Sequence, residues 1–470
     1  MNDMSEATVK GYPRSFVIKW LVSLAITAII LLIPSNEVYT YEVKVFVAIT
    51  ALSMLMMAME LAHNLVAALL LQVGYLIFKV APADVVFSAW SNQIPWLVLG
   101  SFIVAAIMER TGLSQRIAYF CMLKARGRFG ALMFASFIAG VIISAFVSAS
   151  IARTAMLCAL MLSLCQAMGY KAFSREAACA FFVAYVASCD AGLIFMTGGN
   201  ATLVLVGVLQ QTGYDVTFID YFLKAGIPNL VLDAICVFVA IKFFGPKKGT
   251  ASSSEEYIKE QYAKLGPTSK DEKKTIVLLL VLIALLLTSS IHGLEAGWVF
   301  IIIAWVAFLP GINLADKTTV SKVNFTMVFL IAATVTIGNV SSHLNLGNTI
   351  VETILPYIPT NKIGVCMMVM LIGILGNMAM TPLALASTFT EPIIQLALST
   401  GFNPYGIAYI FLIACYQLFF PYEITNALVM YGYGMVNMKE TIKYFTVKMI
   451  IAILFVLVAV IPYFTMIGIL

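Results

Sequence analysis

Apolar runs of roughly 20 residues, the length of a membrane-crossing helix, follow one another along almost the whole chain. They predict spans at about 15–34, 42–58, 61–80, 92–110, 218–244, 275–290, 294–312, 323–342 and 441–466. Between these lie two matched sets of interrupted runs. In the first, apolar segments at about 128–147 and 151–168 are parted by Ser148, Ala149 and Ser150. A run at about 175–212 then breaks at Thr197-Gly198-Gly199-Asn200. In the second, segments at about 362–380 and 384–400 are parted by Thr381, Pro382 and Leu383, and a run at about 403–436 breaks at Glu423-Ile424-Thr425-Asn426. Paired interruptions in corresponding halves are the sequence mark of a transport site. The expected fold is an all-α polytopic membrane protein, an inverted repeat with two re-entrant hairpins, two broken helices and about 11 transmembrane spans.

The order of runs divides the chain. Residues 1–127 carry the first spans, 128–212 the first hairpin and broken helix, and 213–244 a further span. A linker rich in Ser, Pro, Gly, Lys and Glu at 245–274 reads as a connector in water. Residues 275–361 hold the spans of the second half, 362–436 the second hairpin and broken helix, and 437–470 the last span. Amphipathic pieces at 113–123 and 346–357 are expected at the membrane surfaces.

Charge orients this arrangement. With a cytoplasmic N-terminus, Lys10, Arg14, Lys19, Arg110, Arg116, Lys124, Arg126, Arg128, Lys171 and Arg175 fall inside. So do the linker lysines, Lys317, Lys322, Lys439, Lys443 and Lys448, leaving Lys44, Lys79, Lys224 and Lys362 outside. The asymmetry satisfies the positive-inside rule and places the chain in a cytoplasmic (inner) membrane. A hairpin and a double span score alike on this test.

Composition agrees: of 470 residues 61% are hydrophobic and 11% charged, which a water-soluble fold cannot hide. The net charge of +5 sets orientation, so membrane lipid rather than nucleic acid is the expected macromolecular environment. The eight cysteines lack metal-ligand spacing and read as small packing residues. Three scattered histidines complete no nucleophile–base arrangement near the interruptions, so no enzyme, metal centre or cofactor is expected.

A helix broken inside a membrane leaves N–H and C=O groups that need a ligand, an ion or a side chain. The N-termini of half-helices favour anions. Gly198 and Gly199 allow close approach of backbone. Arg153, one turn beyond the first interruption, can grip a carboxylate or sulfonate through two parallel hydrogen bonds. Its plainer reading is a structural pair with Asp190, Glu391 or Glu423. Glu391 and Glu423 are candidates to carry a coupling proton, or are hydrogen-bonded helix-end residues. Asn200 and Asn426 hold equivalent places in the two sets and are read as site residues.

These motifs resemble the divalent anion/sodium symporter family, the INDY-like dicarboxylate transporters, over nearly the whole chain. Ser148-Ala149-Ser150, preceded by Ser144-Ala145-Phe146, stands where that family has Ser-Asn-Thr. Thr197-Gly198-Gly199-Asn200 stands where it has Thr-Pro-Pro-Asn, and residues 96–112, with Met108-Glu109-Arg110-Thr111-Gly112, match its helix before the hairpin. The second half departs, with Pro382-Leu383-Ala384 at the tip and Glu423-Ile424-Thr425-Asn426 at the break. The resemblance implies a homodimeric, elevator-type carrier of a small organic anion, most simply a dicarboxylate, with Na+ as coupling ion. It implies substrate contacts at the tips and breaks, at Ser148, Ala149, Ser150, Thr197, Gly198, Gly199, Asn200, Thr381, Pro382, Leu383, Thr425 and Asn426, to which the residues themselves add Arg153 and Glu423. Ser144, Ser148 and Ser150, with Glu391 and Glu423, are the cation-binding or coupling candidates. The eroded second half predicts fewer than the family's two sodium ions. The rival readings are an anion exchanger without cation coupling, a Na+/H+ antiporter of related fold, and a channel or membrane enzyme.

Overall fold

Every regular element is helical among the described residues, which in this computed structural model are 14–36, 39–59, 61–246, 254–344, 358–378 and 380–470. Helices satisfy their own backbone groups, which is what an apolar surrounding demands. The first half runs α1 (Arg14–Leu32), α2 (Tyr41–Ala58), α3 (Asn64–Ile77), α4 (Gln93–Arg110) and α5 (Leu113–Leu123). The first hairpin follows as α6 (Phe129–Ser144) and α7 (Ser150–Ala167). The first broken helix is α8 (Arg175–Ser188) and α9 (Asn200–Gln211), and α10 (Ile227–Phe244) closes the half. The second half holds α11 (Ser254–Lys264), α12 (Lys270–Leu287), α13 (Ala296–Val306) and α14 (Phe325–His343). Its hairpin is α15 (Lys362–Asn377) and α16 (Pro382–Ser399). Its broken helix is α17 (Pro404–Cys415) and α18 (Thr425–Gly432), before α19 (Met438–Phe455).

Six stretches among the described residues are long and apolar enough to cross a membrane: Gln93–Arg110, Ser150–Ala167, Arg175–Leu193, Phe218–Phe244, Phe325–His343 and Met438–Met466. Shorter apolar helices, including Ala296–Val306 in place of the expected 294–312, accompany them. Ile18, Leu32, Ile77, Val458 and Met466 remain exposed on outer faces, as a lipid-facing surface requires.

Packing follows one pattern in both halves. The first hairpin lies against α8, and the second lies against α17. The second arm of each hairpin then crosses to the other half, α7 onto α18 and α16 onto α9. Small residues permit the closest crossings. A Cβ on Gly140 of α6 would stand 2.1 Å from the carbonyl oxygen of Ala187 on α8.

The interruptions lie earlier than the sequence pattern predicts. The first tip is 145–149, and the second is 378–381, so Pro382 and Leu383 already belong to the first turn of α16. The first break starts at Cys189 and the second at Tyr416, several residues before Thr197 and Glu423. Pro421 disfavours helix in the residue before it, and Asn377 takes the carbonyls of Ala414, Cys415 and Gln417 at 3.3, 2.6 and 3.2 Å. Helix α17 therefore ends on a side chain rather than on a further turn.

The linker also differs from a free connector. Its helix α11 packs on α5 and buries Ile258. Arg116 of α5 pairs with Glu272 at 2.6 Å and donates to the carbonyls of Gly266 and Leu265 at 3.1 and 3.2 Å. Arg116 is thus a buried tie rather than a solvated orientation charge. The piece expected at 346–357 lies outside the described residues.

Two outcomes follow. Gly140→Ala should cost about 1–3 kcal/mol through overpacking against backbone, whereas Gly432→Ala, with nothing within 4 Å of the new Cβ, should be neutral in thermal unfolding. Burial pushes the Glu272 carboxyl up, but Arg116 and Ser269 outweigh it and hold it below the ordinary glutamate value. The tie is therefore complete above that ordinary value and is lost as pH falls through the lower folded one. Pepsin cleavage within 254–266 should rise across that window, and Arg116→Ala should expose the segment to trypsin at neutral pH.

Candidate functional site

Several helices that start near the surfaces carry their own caps. Thr40, Asn92, Ser174, Asn403 and Asn437 each accept a first-turn N–H. Three helices that start at a tip or a break have no side-chain cap: α7 after Ala149, α9 after Gly199 and α18 after Ile424. Their first-turn amides are left for something else to satisfy. The fourth, α16, is capped by Thr381, whose hydroxyl accepts from the Ala384 amide at 3.4 Å.

Arg153 is buried and ties the first tip to the first break. Its Nε and Nη2 donate to the Ser188 carbonyl at 3.0 and 2.8 Å, and its Nη1 donates to the Val147 carbonyl. The fork closes on backbone that ends α8. None of the three carboxylates considered as its partner pairs with it. Asp190 pairs with Lys448, Glu391 accepts from Gln395, and Glu423 accepts from the Phe419 and Phe420 amides. Other side chains stitch the same region. Ser144 donates to the Ala191 carbonyl at 3.0 Å and Thr197 to the Ala145 carbonyl at 2.8 Å. Ser148 meets Ser101 of α4 at 3.0 Å. The close approach at Gly198 is to Gly192, since a Cβ on Gly198 would stand 2.6 Å from the Gly192 carbonyl oxygen.

A cavity of about 840 Å³ runs between α4, α5 and α7 to this tip. Its inner end is lined by Ala149, Ser150, Arg153 and Asn200, and its mouth by Glu109, Lys322 and Asn324. The Asn200 Oδ1 atom is buried without a hydrogen-bond partner. Beside the tip, though not on the cavity wall, Asn426 of the other half donates to Thr154 Oγ1 at 2.8 Å and stands 3.5 Å from Ser150 Oγ. Thr154 in turn meets Ser188 Oγ at 2.8 Å. The structure therefore brings Ala149, Ser150, Arg153 and Asn200 to the cavity, with Asn426 bonded beside Ser150. Ser144, Ser148, Thr197, Gly198, Gly199, Thr381, Pro382, Leu383, Glu391, Glu423, Thr425 and Asn426 do not line it, and Thr425 is exposed.

At the second break the carbonyls that end α17 and the Phe419 and Phe420 amides are satisfied from within, while the start of α18 stays uncapped. Asn377 takes its carbonyls, and Glu423 accepts from Phe420 N–H at 3.0 Å and from Phe419 N–H at 3.2 Å. Lys448 donates to the Tyr416 carbonyl at 3.0 Å and lies 2.7 Å from Asp190 Oδ2. This corrects the placement of Lys448 at a cytoplasmic edge: it is buried, 4% exposed, between the two breaks. Its position within an otherwise apolar part of α19 was the available signal.

Sodium needs several oxygens converging on one point. Ser144, Ser148 and Ser150 turn to three different partners, and the Val147 and Ala145 carbonyls are taken by Arg153 and Thr197. At the first tip these oxygens are each engaged by a different partner.

Residues 14–470 match the family described as the sodium:sulfate symporter transmembrane region. Chloroplastic dicarboxylate transporter 1 of Spinacia oleracea is 25% identical over 48% of this chain and 41% of its own length. The L-tartrate/succinate antiporter of Escherichia coli K12 is 21% identical over 53% of each chain. The sodium-dependent dicarboxylate transporter SdcS of Staphylococcus saprophyticus is 26% identical over 51% of this chain and 47% of its own length. The matched region thus spans about half the length of these relatives. Among solved structures, the Alcanivorax borkumensis YdaH transporter shares the fold, with a TM-score of 0.59 at 13% identity over 97% of this chain and 98% of its own. The chain belongs to the sodium:sulfate symporter family, an integral-membrane family of transporters and not of enzymes.

A Lys at position 153 cannot reach the Ser188 and Val147 carbonyls together. Arg153→Lys should lower stability by about 1.5–3 kcal/mol, read as thermal unfolding of purified protein with no substrate added.

Proposed function

We propose that this chain is a secondary active transporter of a small organic anion, most simply a di- or tricarboxylate, working by alternating access. The observation that carries the proposal is the cavity that ends on the uncapped N-termini of α7 and α9 with the Arg153 guanidinium behind them. Two first turns of free amides and a buried cation make a poor place for water-stripped cations and a good one for a carboxylate. Ser150 and Asn200 add adaptable polar groups. The named relatives carry dicarboxylates, tartrate or succinate, which supports the same substrate class here.

The two halves support alternation by their difference. The cavity lies between α4 and α7, whereas their counterparts α14 and α16 are in contact. That closed seam holds buried polar atoms without partners: Ser387 Oγ, Thr390 Oγ1, Glu391 Oε2 and both amide atoms of Gln211. Gly338 of α14 lets it close, since a Cβ there would stand 2.3 Å from Gln211 Oε1. Buried polar atoms without partners are costly. A seam that opens to water in the opposite state explains them. The crossed packing of α7 on α18 and α16 on α9 supports an inverted repeat in which 128–212 and 362–436 move as one elevator body. The remaining helices would form the scaffold of a homodimer. Lys322 at the mouth, paired there with Glu109, together with the basic residues predicted on the inner side, supports a cavity facing the cytoplasm and a cytoplasmic N-terminus in an inner membrane.

Exchange without cation coupling is the second reading. It is favoured by the tip oxygens already engaged by Arg153 and Thr197. The carboxylates that motivate a Na+/H+ antiporter, Asp190, Glu391 and Glu423, are held by three separate partners and form no common cation site.

Uptake of labelled succinate, tartrate, citrate and sulfate into proteoliposomes tests the proposal, under sodium, proton and counter-anion gradients in turn. At least one dicarboxylate should be taken up saturably. Asn200→Ala should weaken apparent affinity roughly tenfold, the worth of one hydrogen bond to a charged ligand. Uptake of no anion in the panel by folded protein would overturn it.

A further inference from the structure

Lys448 is set among apolar residues of α19, with its ammonium almost wholly out of solvent. A buried ammonium is costly unless its surroundings replace water. Here they come from four directions. Asp190 Oδ2, at the start of the first break, is 2.7 Å away, and the Tyr416 carbonyl, at the start of the second, is 3.0 Å away. The Tyr185 ring of α8 faces Nζ with its centroid at 5.3 Å. Asp233 and Cys236 of α10, together with Cys189, lie within electrostatic range. Asp190 Oδ1, Asp233 Oδ2 and Gln417 Oε1 are buried in this part of the molecule without hydrogen-bond partners. The arrangement is that of a cation site: carboxylate and carbonyl oxygens and a π face around one positive charge. The charge at its centre is covalently part of the chain.

We propose that Lys448 is a tethered cation, holding with its own ammonium a position between the two helix breaks that a soluble cation would otherwise have to fill. Arg153 plays the parallel part at the first tip, where its guanidinium takes the carbonyls of Val147 and Ser188. A carrier built this way needs no sodium at its breaks, although it belongs to a family described by sodium symport. Taking away the Lys448 ammonium leaves Asp190 and the Tyr416 carbonyl facing one gap, with the unpartnered Asp233 within electrostatic range, and sodium, a hard cation, suits such oxygens. Lys448 is then the residue that sets ion dependence. The inference concerns ion binding and stands apart from which anion is carried.

Thermal unfolding of the full chain in lipid nanodiscs, at constant ionic strength with Na+ exchanged for N-methylglucamine, tests it without substrate. The parent protein should show no sodium-specific stabilisation. Lys448→Ala should start lower and be raised by sodium in a saturable way. Lys448→Ala combined with Asp190→Asn should lose that response. Bound 22Na+, counted by equilibrium dialysis, should follow the same order. Sodium stabilisation of the parent, no sodium response in folded Lys448→Ala, or a response that survives Asp190→Asn would each overturn the proposal. So would stabilisation of Lys448→Ala by acid alone, which would make protons rather than sodium the replacement. If Lys448→Ala is not recovered folded, Lys448→Gln takes its place. Failure of both to fold in high sodium, while Lys448→Gln with Asp190→Asn folds, would show a structural ion pair only and likewise overturn the proposal.

Discussion

The Ser188 carbonyl ends a helix inside the molecule, and the Arg153 guanidinium receives it with two N–H groups while a third reaches the Val147 carbonyl. The first half depends on this clamp. It fixes the hairpin tip against the break, so the amides that start α7 and α9 face one cavity. Without it, a buried carbonyl and a hairpin tip would each need a new partner in a place with no water to supply one. A guanidinium suits the task because its donors are fixed in one plane and its charge is not lost on burial.

The same constraint explains why the two halves differ in chemistry despite their matched packing. In the second half most of the break is closed by the chain itself, the uncapped start of α18 excepted. Asn377 takes carbonyls, Glu423 takes amides, and Lys448 takes the last carbonyl while pairing with Asp190 of the first half. In the first half the carbonyls are taken and the amides are not. The two breaks thus differ in which of their backbone groups the chain's own side chains take.

The site also joins the halves. Asn426 begins α18, yet its amide nitrogen bonds Thr154 on α7, whose hydroxyl meets Ser188. These hydrogen bonds tie the first hairpin to the other half's broken helix. The contrast between the open cavity along α7 and the closed polar seam along α16 lies across this shared core.

Much of this was legible in the residues. Runs of membrane length, two matched interruptions and a Ser- and Asn-marked hairpin sufficed for an all-helical membrane transporter and for its family. Arg153, Asn200 and Asn426 could be singled out because a polar side chain amid apolar neighbours demands a reason. Where the breaks begin could not be read, because Cys189 and Tyr416 look like helix in sequence and leave it only when distant side chains take the preceding carbonyls. The partners could not be read either. Arg153 is held by backbone carbonyls rather than by a carboxylate, and Lys448 is buried between the breaks rather than solvated at a surface. Local pattern decides which segments are helices and where they are weak, since hydropathy and caps act within a few residues. Tertiary structure decides what satisfies each weak point, since a buried hydrogen bond is chosen by proximity among residues hundreds of positions apart.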